Sequence, residues 1–365
     1  NFMVFESASI QTMVMMFEKN NKLDNYTIDY RRLKGNTKLS DVVALLSKEK
    51  TKEVEYLTPI FNRSSFTNKY ITFSLNETIL DKISKNKINL NPDEIAQGIV
   101  FPQDFLNKKN QKILGNKFKI GDSVFALNLC DKDSIRLNES EKSLIKPLYN
   151  TEQILRYYSN NNNNNWLIYT NSSFKNPRSM DNYPNLKAHL DKFANIITSD
   201  NKPYGLHRSR DERFFKGEKV IALRKCIDRP LFSYSDFDCY LSATFYVIKT
   251  NRVDMKYLTG LLNSKLIQFW LKNKGKMQGL NYQLDKEPLI AIPIASPEKS
   301  KQSLIKNLVN KILEIKNKDI NGDITSIELK IDILVYKLYD LTYDEVLVID
   351  PLTPITREEY ELEID

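Results

Sequence analysis

The chain has 365 residues, of which 41% are hydrophobic and 27% charged, and a formal net charge of +8. This composition suits a globular protein of two or three packed units. The absence of any run of about 18 apolar residues excludes a membrane-spanning helix, and three scattered cysteines exclude a disulfide framework and fit a reducing, cytoplasmic setting.

Residues 9–17 and 25–33 read as two strands joined by a hairpin loop at "EKNNKLD". The stretch 38–57 reads as a helix, with Leu39, Val42, Val43 and Leu46 at helical spacing. A strand follows at "SSFTNKYITFSL", then a short helix at "NETILDKISKN" capped near Asn76. The runs "IAQGIVFPQDF" and "FKIGDSVFALNL" look like strands on either side of a polar loop at 107–117. Six asparagines, 160–165, form a loop tip before the strand 166–170. Residues 183–197 are helical, with Pro184 in the first turn, where its missing N–H is harmless. "KVIALRK" and 239–250 are strands. "DMKYLTGLLNSKLIQFWLKNKGK" is one helix, capped by Asp254 and turning Leu258, Leu261, Leu262, Leu266 and Phe269 inward. "PLIAIPIA" is a short strand. From Pro297 the chain is helical, with Ile327, Ile331, Leu334, Val335 and Leu338 on one stripe. The fold class is α+β: a mixed central domain of short strands and helices, preceded by a strand hairpin and followed by a helical hairpin.

The charge is uneven. Residues 341–365 hold eight acids against Arg357, a net of −7, so residues 1–340 carry +15. A body this basic suits a polyanion, above all nucleic acid. One strongly basic part is "KPYGLHRSRDERFFKGEKVIALRKC", 202–226, with eight Lys and Arg against Asp211, Glu212 and Glu218. Apolar residues thread it, so the charge sits on a folded element.

Catalytic signatures are missing. No glycine-rich phosphate loop occurs, and two histidines, His189 and His207, make no convincing Ser-His-Asp set. Cys226 and Cys239 read as small buried hydrophobes rather than as metal ligands completed by a histidine; no metal is expected. No Asn-Pro-Pro-Tyr motif is present; "NPDE", "NPRS" and "NKPY" lack the paired prolines.

Four stretches carry a resemblance: "VFESASIQTMVMMFEK", "NIITSDNKPYGLHRSRDERFFKGEKVIALRKC", "YLTGLLNSKLIQFWLKNKGKMQGLNYQLDKEPLIAIPI" and "IDILVYKLYDLTYDEVLVID". Together they resemble the C-terminal half of TaqI-like adenine-specific DNA methyltransferases, and most of all the fused restriction–modification enzymes. The resemblance implies four parts: the end of a methyltransferase domain at 1–35, a helical connector at 36–95, a target-recognition domain at 96–296, and a C-terminal helical segment with an acidic tail at 297–365. It implies duplex DNA and an upstream methyltransferase domain as partners. It also implies S-adenosylmethionine as cofactor of the parent enzyme, with none bound by this chain, which reads as the middle of a longer polypeptide holding no catalytic residue.

Such a domain must grip phosphate with Lys and Arg and read base edges with Arg, Asn or Gln. The expected DNA contacts are Lys202, Tyr204, His207, Arg208, Arg210, Arg213, Arg224 and Lys225, followed by Lys272, Lys274, Lys276, Gln278, Asn281 and Gln283. In an extended segment Arg208 and Arg210 would share a face and Arg213 would not. The loops 107–117 and 171–182 come second. Two rivals stand beside this reading. One is a separate type I specificity subunit, disfavoured because one recognition domain is visible where two are usual. The other is a basic module that binds a protein partner.

Overall fold

The protein is described by a computed structural model covering residues 14–16, 25–33, 38–62, 77–85 and 87–362. The expected strand at 64–75, the cap at Asn76 and most of the strand at 9–17 lie outside these residues; 14–16 is not in a strand.

The strand run 25–33 forms, but its partner is 54–62. Asn25–Thr27 pairs antiparallel with Ile60–Asn62, and Tyr30–Leu33 with Val54–Leu57. The helix expected over 38–57 stops at Ser47, where Lys48 turns left-handed at φ 59°. The following residues, "EKTKE", offer nothing apolar to bury, whereas "VEYL" has the β-branched and aromatic content of a strand. The strand then packs on the helix end: the Tyr56 hydroxyl lies within hydrogen-bonding distance of the Ala44 and Glu49 carbonyls, at 2.8 and 3.0 Å.

The centre is a five-stranded sheet in the order Ile95–Gln97, Phe245–Ile248, Lys219–Leu223, Phe232–Ser235, Tyr157–Tyr158. All neighbours are antiparallel except the last pair. Its inner strands are buried on both faces. Val220, Ala222, Tyr246 and Ile248 enter one core, while Ile221, Phe245 and Val247 enter the other, as period-two alternation requires. This explains why these strands read as continuous apolar runs.

The first core is roofed by helices Met255–Leu262 and Lys265–Lys274 and, against them, the hairpin Lys299–Lys318 and Thr325–Leu338. Leu258, Leu261, Leu262 and Leu266 are fully buried with Ile305, Val309, Ile331 and Val335. The segment from Pro297 thus shares its core with residues 219–295. The second core lies beneath a four-stranded sheet, Tyr240–Leu241, Ile145–Tyr149, Asn165–Ile168 and Ala126–Asn128, and helix Pro184–Asp191.

Three further elements differ from expectation. The strand 239–250 is broken at Ser242–Thr244, leaving Tyr240–Leu241 and Phe245–Ile248 in different sheets. The long helix from Asp254 is two helices. Asp254 caps the first, accepting from the Lys256 and Tyr257 amides at 2.9 and 3.1 Å. Buried Asn263 ends it by pairing with both backbone groups of Phe232, at 2.8 and 3.2 Å, and Ser264 caps the second. "PLIAIPIA" is not a strand. Lys286–Ala291 is a helix, with Pro288 tolerated in its first turn, and only Ile294 bridges to Ile88.

Candidate nucleic-acid interface

The stretch 202–226 folds as a connector whose side chains have divided duties. Tyr204 packs into the second core at 6% exposure and donates to Asp191 at 2.7 Å; it is a core residue rather than the DNA contact expected. His207 is half-buried. Arg208 bridges to Val100 through its backbone, at 3.1 and 3.0 Å. Its exposed side chain has no hydrogen-bond or ion-pair partner among the described residues. Arg210 does not share that face. Its backbone is left-handed at φ 67°, and its guanidinium turns inward to the Gly98 carbonyl at 3.2 Å and the Gln97 side chain at 2.9 Å. The extended segment assumed from sequence ends there.

Asp211 caps the short turn Glu212–Phe215 and pairs with Arg213 Nε at 2.9 Å. Arg213 also donates to the Asp93 carbonyl at 2.7 Å and lies over the Phe214 ring. Lys219 is wholly buried, its ammonium held by the Gly217 and Phe237 carbonyls; burial lowers its pKa to about 8. Lys202 and Lys225 are exposed and unpartnered among the described residues. Of eight cations, three remain open to a ligand.

The second expected surface is a β-hairpin. Lys276–Gln278 pairs antiparallel with Asn281–Gln283, and Gln283 pairs in turn with Lys225. The two-residue turn is Gly279–Leu280, with Gly279 at φ 62°. That angle at the first turn position is the one that suits glycine in a tight hairpin. Gln278 and Asn281 face each other beside the turn, both exposed. Leu280 stands out at the tip, 81% exposed.

Asp285 fixes this hairpin. Its carboxylate accepts from Arg224 Nε at 2.8 Å, Lys276 Nζ at 3.0 Å and Gln283 Nε2 at 2.8 Å. Burial pushes its carboxyl up, but the bonds from Arg224 and Lys276 outweigh burial and hold it below the usual range. Arg224, Lys276 and Gln283 therefore brace the platform, while Gln278 and Asn281 are presented by it. Lys272 is exposed at the end of the preceding helix, and Lys274 is partly buried there. Asp285 was missed in the sequence; the one signal was a lone acid closing a basic hairpin.

The cysteines fit no ligand set. Cys226 and Cys239 are buried, their thiols pushed up to about 11 and about 12 by burial, and Cys130 is exposed. Among the described residues no group of His, Cys, Asp and Glu could hold a metal. No described helix is long and apolar enough to cross a membrane.

Two α+β cores thus share one five-stranded sheet, and the braced hairpin 276–283 belongs to a separate three-stranded sheet with Lys225–Cys226. Residues 146–294 match the family model of the TaqI-like C-terminal specificity domain. Among solved structures, the type IIL restriction–modification enzyme MmeI, in complex with DNA, is similar with a TM-score of 0.50 at 12% identity, covering 86% of this chain and 39% of that one. The type IIG restriction endonuclease BpuSI is similar with a TM-score of 0.37 at 14% identity, covering 83% and 38%. At such identity the first likeness shows a common fold. The chain spans about two-fifths of the length of these enzymes. No curated protein matches it.

Proposed function

We propose that this chain is the DNA-reading part of an adenine-specific DNA methyltransferase of the restriction–modification kind, working beside a methyltransferase domain. The observation that carries the reading is the hairpin 276–283: two amide side chains, Gln278 and Asn281, exposed on a platform whose other polar residues are locked to Asp285. A bidentate amide is the group that recognises adenine, and reading a base edge requires a rigid mount. Open cations at Lys202, Arg208, Lys225 and Lys272 suit phosphate. The fold it shares with an enzyme solved on DNA supports the same reading.

S-adenosylmethionine would be the methyl donor of the larger enzyme. No chemical step is assigned to this chain. Its part would be to hold the duplex in register while a target base swings out.

The test is selection of duplexes from a random library by the purified chain. Enrichment of one defined word is expected, and Gln278→Ala or Asn281→Ala should relax one position of that word at roughly 1–3 kcal/mol. Binding without any enriched word would refute base reading by this chain. A variant pair that leaves the word intact would remove the hairpin from the readout.

A further inference from the structure

We propose that the loop 107–121 is the main phosphate grip of this protein, ahead of the arginine-rich stretch and the hairpin. The proposal rests on the DNA-binding reading above and locates where the affinity comes from.

The loop holds Lys108, Lys109, Lys112, Lys117 and Lys119 and no acid. All five are exposed, and none has a hydrogen-bond or ion-pair partner for its ammonium among the described residues. The contrast with the other basic surfaces is direct. Arg213, Arg224 and Lys276 are ion-paired within the protein, Lys219 is buried, and Arg210 is bonded to the strand at 97–98. A cation already neutralised must break a bond to take a phosphate, and a free one need not.

The loop is also a built element. Its neck is closed by backbone bonds from the Leu106 amide to the Asp122 carbonyl at 2.9 Å and from the Gly121 amide to the Leu106 carbonyl at 2.8 Å. Asn107 caps the helix Lys108–Leu114, accepting from the Asn110 amide at 3.0 Å. The Gln111 side chain donates to the Phe118 carbonyl at 2.9 Å, and Phe118 packs on Phe193 with ring centroids 5.4 Å apart. Compact loops with closed ends of this kind are frequently functional. Lys108 and Lys112 are four apart on this helix, and Lys109 and Lys112 three apart, spacings at which like charges repel. No carboxylate among the described residues pairs with these lysines to offset that repulsion, whereas a polyphosphate backbone would. Lysine, a flexible point charge, suits phosphate rather than base readout.

The experiment compares two five-fold variants of the whole chain. One carries Lys108→Gln, Lys109→Gln, Lys112→Gln, Lys117→Gln and Lys119→Gln. The other removes the same charge from exposed, unpaired lysines of the C-terminal helices: Lys299→Gln, Lys301→Gln, Lys311→Gln, Lys318→Gln and Lys330→Gln. Binding of a random-sequence 30-base-pair duplex is followed by fluorescence anisotropy across salt, with thermal melting as a check on folding. If three to five phosphate contacts are lost, the loop variant should bind roughly a hundredfold to several thousandfold more weakly at 0.15 M salt, and the slope of log K against log salt should flatten by about 3–4 units. The control should stay within about threefold of wild type. Equal losses in both variants, or wild-type binding by a folded loop variant, overturn the proposal and leave the DNA reading intact. A wild-type chain that does not bind the duplex overturns both.

Discussion

Replacing Asp285 by Ala separates bracing from reading. Three donors end on its carboxylate, which is 13% exposed, while the Arg224 and Lys276 side chains keep 37% and 55% exposure. A buried hydrogen bond to a charged group contributes about 1.5–3 kcal/mol. Solvent screens these two toward the roughly 1 kcal/mol of a surface pair, and the Gln283 amide would be left partly unsatisfied. The expected loss is about 2–3 kcal/mol, measured as a shift of the urea midpoint. The lowered pKa of Asp285 sets the pH dependence. Its folded value lies below the unfolded value near 4, so its contribution is full above that pH and fades as pH falls through the folded value. The gap between wild type and variant should accordingly be full at pH 7 and shrink below about pH 4. On DNA the variant should move the other way. Arg224 and Lys276 are released and one acid is gone, so binding to random duplexes should tighten and the salt slope steepen by about 1–2 units, while discrimination among sequences falls. An unchanged midpoint with an unchanged slope would refute the bracing role.

Other expectations are as direct. Burial raises the Asp332 carboxyl to about 7, against the opposing hydrogen bond from the Lys265 amide. The folded state therefore keeps this proton longer than the unfolded chain, and stability falls as pH rises from about 4 to about 7. Asp332→Asn should raise the melting temperature at pH 8, by an amount worth on the order of 2–4 kcal/mol, and change little at pH 4; equal effects at both pH values would refute this. Gly260→Ala would set a Cβ 2.5 Å from Ile305 Cγ2 and 3.1 Å from Val309 Cγ2. Overpacking of about 1–3 kcal/mol should outweigh the helix-propensity gain, and an unchanged or higher urea midpoint would show that the two helices separate freely.

What was legible in the sequence follows from periodicity. The Leu258–Leu266 stripe, the C-terminal helices and the buried strands announce themselves through repeats of 3.6 or through unbroken apolar runs. What was not legible depends on contacts distant in the chain. Nothing local reveals that Asn263 will satisfy Phe232 and so divide a helix. "PLIAIPIA" is a short apolar run that fits strand and helix alike, and only the Asp285-Lys-Glu-Pro start, a capping pattern, favours the helix. In the basic stretch, charge was counted correctly and availability was not. Lys219 looks like any strand lysine until the Gly217 and Phe237 carbonyls close over it, and Arg210 looks extended until its backbone turns left-handed. Gln278 and Asn281 were visible as polar residues beside glycine, and the structure brings them together across one turn.

The sheet shared by both cores decides how this module could be transplanted. Cutting at 146 and 294, the limits of the matched specificity domain, would strip strand Ile95–Gln97 from its neighbour Phe245–Ile248 and lay bare Leu258, Leu261 and Leu262 by removing Ile305, Val309 and Ile331. Arg156 would lose Glu328, and Arg252 would lose Glu94. The portable unit runs from the helix at 77–84 to the short helix Arg357–Glu361, where the Tyr360 hydroxyl donates to the Leu341 carbonyl. A chimaera built to exchange DNA words should place its seams outside those two points, or confine the exchange to the hairpin 276–283 and leave every strand of the common sheet in place.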